Sequence, residues 1–170
     1  MKILRPYEPP FEYLNELVES LVTEDDEPVD QFTSANRDLL ISVLYTSWVP
    51  PVEPAIGRPR QFFACGNVGV FPCVRQPPLV PDLLLSMDVK VEGSLHDKRN
   101  AAYFLWEFGK PPDVVVEIVD DEKGEELNLI MGAYERIRVT YYVVYDPRQL
   151  LSNERLQVFE LRGGEVLSAR

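Results

Sequence analysis

Histidine is almost absent from this chain: His96 is the only one among 170 residues. That scarcity argues strongly against nucleophilic chemistry built on a serine, histidine and acid triad. Cysteine is nearly as scarce. Cys65 and Cys73 lack metal-ligand spacing and lie in apolar, strand-like runs, so they read as reduced, buried, unreactive thiols rather than a disulfide framework. No long uninterrupted apolar run occurs, and the first residues lack the basic, apolar, small pattern of an export signal, so no transmembrane helix or secretory leader is expected and the chain reads as cytoplasmic. Repeats and low-complexity tracts are missing too. Positive charge is in deficit, with 17 basic against 28 acidic residues and a formal net charge of -11. A general affinity for nucleic acid is therefore disfavoured, and any such binding must be local. Much of the acid is concentrated in residues 23–27 and 120–126, which read mostly as solvated surface.

What is present is ordinary for a globular protein, at 45% hydrophobic and 26% charged residues. The length predicts one domain over residues 1–170, with residues 1–27 as an N-terminal helical extension. Phe11, Leu14, Leu17, Val18 and Leu21 follow a pair of prolines at helical steps and predict a helix over Pro9–Val22. Ser34 is the expected cap of a second helix reaching about Trp48, with Leu39, Leu40, Val43, Leu44 and Ser47 inward. The proline-rich Val49–Arg60 segment predicts an irregular connection. Gln61–Ala64 and Val68–Val74, separated by Cys-Gly-Asn, predict a hairpin that starts a sheet, and Tyr103–Phe108 predicts another strand. Gly124–Ile137 repeats Leu127, Ile130, Met131, Tyr134 and Ile137 as one buried helical stripe. Tyr141–Tyr145 predicts a buried strand, parallel to the one before that helix in a right-handed β-α-β unit, and Arg162-Gly-Gly predicts a final hairpin. The whole reads as an α/β fold, a mixed β-sheet flanked by helices.

The sequence centres on Pro111–Val119, an apolar run bounded by proline and by Asp-Asp, as expected of a strand buried on both faces. Alternation puts Asp113, Val115, Glu117 and Val119 on one face and Val114, Val116 and Ile118 on the other. An ionised acid in such a strand costs several kcal/mol, of order, unless it is paired or binds metal, so Glu117 requires a cationic partner or a raised pKa. The plainer alternative is an acid salt-bridged at a strand end. Asp82, near the start of the strand predicted over Leu79–Asp88, is a second acid among apolar neighbours. At the ends of adjacent strands, Asp82 and Glu117 have the chemistry to share Mg²⁺, which prefers carboxylate, water and phosphate oxygens. Glycoside hydrolysis by two carboxylates is the lesser reading, since no aromatic sugar platform is evident.

Pro81-Asp82 before an apolar strand, Pro112-Asp-Val-Val-Val-Glu-Ile-Val119, a helix ending Ala-Tyr-Glu-Arg-Ile137 and Tyr-Tyr-Val-Val-Tyr-Asp-Pro147 together resemble the Uma-type bacterial restriction-endonuclease family of the PD-(D/E)XK nuclease superfamily. The resemblance spans roughly residues 28–165. It implies a restriction-endonuclease-like core, a DNA endonuclease using Mg²⁺ or Mn²⁺, DNA as a weakly held partner, and a homodimer. By motif position it implies Asp82 and Glu117 as catalytic metal ligands and Glu126 as a further catalytic acid. Two positions depart from the pattern. The superfamily's lysine two residues after the second acid is Val119 here, and the helix position used for it in this family is Ile130. Lys98, Lys110 and Lys123 are the candidate substitutes. The same departure opens an alternative, a catalytically inactive nuclease fold serving as a binding or assembly module.

Overall fold

The computed structural model describes Leu21 and residues 30–91, 93–94, 97–120, 125–162 and 165–169, with backbone only for Glu125, Glu126, Arg162 and 165–169. The helix expected over Pro9–Val22 falls almost wholly outside these residues, as do His96 and Lys123. Helix α1 spans Gln31–Ser47 and is opened by Asp30, not Ser34. The Asp30 carboxylate accepts from the Phe32 and Thr33 N–H groups and from the Thr33 hydroxyl, satisfying donors that the first turn would leave orphaned. The inward face was expected too wide. Leu44 packs against the cluster of Ala64, Leu85 and Met87, whereas Leu39 and Val43 are 57% and 48% exposed, because α1 rests on the sheet along a narrow strip.

The proline-rich connection is mostly irregular, as expected, apart from a minimal hairpin of β1 (Val52–Glu53) and β2 (Arg58–Pro59). Next come β3 (Phe62–Cys65), β4 (Val70–Phe71), β5 (Leu83–Met87) and β6 (Tyr103–Phe104), which runs into a one-turn helix, α2 (Leu105–Phe108). Then follow β7 (Val114–Ile118), α3 (Glu125–Arg136), β8 (Tyr141–Tyr145), β9 (Leu156–Arg162) and β10 (Glu165–Ala169). Two expectations need correction. β3 and β4 are not a hairpin: β3 lies antiparallel to β5, while β4 pairs in parallel with β6 in a separate small sheet. The Gly66-Asn67 turn, with Asn67 at φ 53, diverts the chain as Asn67 N–H donates to the Asp82 carbonyl at 3.2 Å. Tyr103–Phe108 is a strand for two residues only, and its remainder is the turn of helix closed by left-handed Gly109 at φ 73.

The main sheet has six strands in the order β10-β9-β8-β7-β5-β3. Only β7 and β8 are parallel, with α3 between them in sequence, as a β-α-β unit requires; every other neighbour pair is antiparallel. The fold is thus α/β with a mixed sheet. Val115 and Val119 join Leu84, Tyr134, Tyr142 and Val144 in the largest buried cluster, against which Leu127, Ile130, Met131 and Ile137 of the α3 stripe pack. Val114, on the opposite face, packs with Ala64, Leu85 and Met87 beside Leu44 of α1. The alternation expected of Asp113–Val119 is therefore the one observed. Cys65 is half-buried and burial pushes its thiol up to about 12; Cys73 is exposed, against expectation, and neither forms a disulfide. Among the described residues no helix is long and apolar enough to cross a membrane.

Candidate active site

β5 and β7 run antiparallel with Leu83 opposite Val116 and Leu84 opposite Val115. Continuing this register by one residue sets Asp82 opposite Glu117, with Asp82 on the face of Leu84 and Glu117 on the face of Val115, the face covered by α3. Directly opposed residues have Cβ atoms about 5 Å apart, within reach of a single bridging cation. Hydrogen bonds fix the pair: the Ile118 N–H donates to Asp82 Oδ2 at 2.7 Å, and the Tyr134 hydroxyl, from α3, donates to Glu117 Oε1 at 3.0 Å. Tyr134 is only 1% exposed, so its ring, 5.9 Å from that of Tyr142, holds the hydroxyl in place.

Burial, and after it the neighbouring Asp82 charge, push the Glu117 carboxyl up to about 8 against the opposing pull of hydrogen bonds from the Tyr134 hydroxyl and the Asp82 backbone. Asp82 is also raised by burial; the Ile118 N–H and the Arg37 charge pull it down, while Asp120 and Asp30 push it up. Of the two options left by the sequence, Glu117 takes the raised pKa: among the described residues no lysine or arginine forms an ion pair with Glu117 or Asp82. The plainer salt-bridge reading belongs instead to Asp113, whose carboxylate binds the Lys110 ammonium and the Met87 N–H.

These donors suit a hard divalent cation. Both are half-buried oxygen donors disfavoured as free anions by burial, Glu117 also by the Asp82 charge and Asp82 by Asp120 and Asp30, and neither forms an ion pair with a described side chain. Among the described residues no three acidic, histidine or cysteine side chains gather as a metal-holding group. Two carboxylates match Mg²⁺, which keeps several waters and completes its shell with phosphate oxygens, better than a cation that needs an all-protein cage.

The remaining sequence candidates separate. Glu126 is the second residue of α3, but its side chain lies outside the described residues, as does Lys123. Lys110 is held by Asp113 and the Met87 carbonyl, at the opposite end of β5 and β7 from the acids. Lys98 belongs to a 3-10 turn whose Arg99 and Asn100 border Asp88 and Lys90, again at that far end. Val119 and Ile130 both pack in the apolar cluster under α3. Sequence reasoning missed Arg37. Its stem lies across Gly66 and the Asp82 backbone, and its charge reaches the Asp82 carboxylate. The available signal was slight: Arg37 is the only basic residue in α1.

A search of curated proteins finds none that matches. A solved structure titled as that of "a putative nuclease belonging to DUF820" from Anabaena variabilis aligns with a TM-score of 0.48 at 13% identity, covering 84% of this chain and 69% of that one. The model of the Uma2 family, described as "Putative restriction endonuclease", matches residues 16–170, nearly the full length, and the chain belongs to that family.

Proposed function

We propose that this chain is a Mg²⁺- or Mn²⁺-dependent DNA endonuclease, a single domain over residues 1–170 acting as a cytoplasmic homodimer, with Asp82 and Glu117 as metal ligands and Glu126 orienting the site. The observation that carries the reading is the register-opposed pair Asp82 and Glu117, half-buried and in no ion pair with a described residue. A bound divalent cation would lower the pKa of a water and offset charge developing on the phosphate. The chain's own groups do the rest. The Ile118 N–H aims the Asp82 carboxylate, the Tyr134 hydroxyl aims that of Glu117, and the apolar floor of Val115, Val119 and Ile130 limits water beneath them. In hydrolysis a water oxygen bonds to phosphorus, the bond from phosphorus to one sugar oxygen breaks, and that oxygen leaves with a proton.

The apolar Val119 and Ile130 favour a second reading, a nuclease fold that binds without cutting. Incubation of supercoiled and linear DNA with the protein in Mg²⁺ or Mn²⁺ separates the two. Slow metal-dependent nicking lost in Asp82→Ala and Glu117→Ala is the result expected of the nuclease, and no cleavage above the double variant supports the binding module.

A further inference from the structure

We propose that Arg37 is the phosphate-binding cation of this site, its guanidinium taking a non-bridging oxygen of the DNA phosphate engaged at Asp82 and Glu117; the assignment rests on the nuclease reading above. The argument begins at Gly66. A Cβ built there would overlap Arg37 Cδ and lie 2.6 Å from the Asp82 carbonyl oxygen, so the glycine is what lets the arginine stem lie against the backbone that carries Asp82. The side chain is consequently well covered, at 17% exposure, although its only described hydrogen bond is from Nε to Asp38 Oδ1 at 3.2 Å. Asp38 is 70% exposed, so that neighbouring pair adds little stability. The terminal guanidinium nitrogens make no hydrogen bond to any described residue. A buried stem, a fixed planar fork and free terminal donors suit two-point recognition of phosphate oxygens, with little side-chain freedom left to lose on binding.

Local charge favours such a group. Asp82 lies within electrostatic reach of Asp30, Glu117 and Asp120, so a phosphate approaching this end of the sheet meets repulsion. Arg148, the other described cation close by, is engaged: its guanidinium donates to the Asp120 carbonyl and lies 4.2 Å over the Phe32 ring. Lys98 and Lys110 stand at the far end of the strands and Lys123 lies outside the described residues, whereas the Arg37 stem lies against the Asp82 backbone.

The test measures binding of a fluorescent DNA duplex in Ca²⁺ across a salt series, for wild type, Arg37→Gln, Arg37→Lys and the exposed control Arg58→Gln, alongside Mn²⁺ calorimetry and thermal melts. Arg37→Gln should weaken duplex binding about tenfold near 0.1 M salt and lower the salt slope by about one, as expected for one lost phosphate contact. Arg37→Lys should recover most of the slope, and Arg58→Gln should change neither value. Mn²⁺ binding should survive Arg37→Gln. A duplex affinity and salt slope for Arg37→Gln equal to wild type would overturn the assignment, as would a wild type that binds no duplex. If Arg37→Gln fails to melt cooperatively, Arg37→Lys decides, since a salt slope as low as a neutral residue would give contradicts a charge contact. Wild type that lacks Mn²⁺ heat yet loses duplex affinity in Arg37→Gln would overturn the metal pair while leaving Arg37 assigned.

Discussion

The surroundings of Glu117 disfavour its charged form, and this has a definite sign in pH. Its folded pKa, about 8, lies above the ordinary 4.5, so between those values the folded protein holds a proton that the unfolded chain has released. Stability should therefore fall as pH rises through this window, and below about pH 4 the carboxyl should contribute nothing. In chelator, Glu117→Gln should melt higher than wild type near pH 8, by roughly 1–3 kcal/mol after allowance for solvent screening, and the difference should vanish near pH 4. A large loss of stability in Glu117→Gln would instead mark a structural ion pair. Ile130 offers the converse test. It packs on the apolar face of α3, one turn before the Tyr134 that hydrogen-bonds Glu117, so Ile130→Lys should bring an ammonium toward both acids. A placed charge or donor at a transition state is worth on the order of a hundred- to a thousandfold. Ile130→Lys should accordingly gain Mg²⁺-dependent nicking over a feeble wild type. Robust wild-type cleavage that survives Lys98→Ala, Lys110→Ala and Lys123→Ala would contradict this.

Among the elements, those with a strong internal period were legible and those depending on distant partners were not. Alternation along β7 and the stripe on α3 placed Glu117 and Tyr134 correctly, because each pattern reports its own burial. β3 and β4 carry too few residues to show a period, and their partners lie some twenty to thirty residues onward, so local turn chemistry pointed to the wrong pairing. Arg37 was invisible for the same reason: its contact with Gly66 crosses from helix to turn, and nothing in the local sequence of α1 reports it. Asp30 and Ser34 were both competent caps, and the Thr33 hydroxyl, bonded to Asp30, decides between them. Asp30→Ala should thus cost about 1 kcal/mol in urea unfolding, and Ser34→Ala much less. Gly66→Ala should destabilise more, by about 1–3 kcal/mol, since its Cβ meets the Asp82 carbonyl oxygen as well as Arg37. An unchanged urea midpoint would remove the close approach on which the position of Arg37 depends.

For the molecule as a whole, the net charge of -11 stays compatible with a DNA substrate because the charges are unevenly placed. Acid converges on the end of the sheet where a divalent cation would reverse the local sign, and Arg37 stands at the same end. The family match and the mixed sheet agree on a nuclease scaffold, and the chemistry then turns on whether two opposed carboxylates act as one site. Titration calorimetry with Mn²⁺ at pH 8, on wild type, Asp82→Ala and Glu117→Ala, measures this most directly. One saturable binding heat in wild type that disappears in both variants is the predicted result; no heat in wild type, or the same heat in all three proteins, would contradict the shared site.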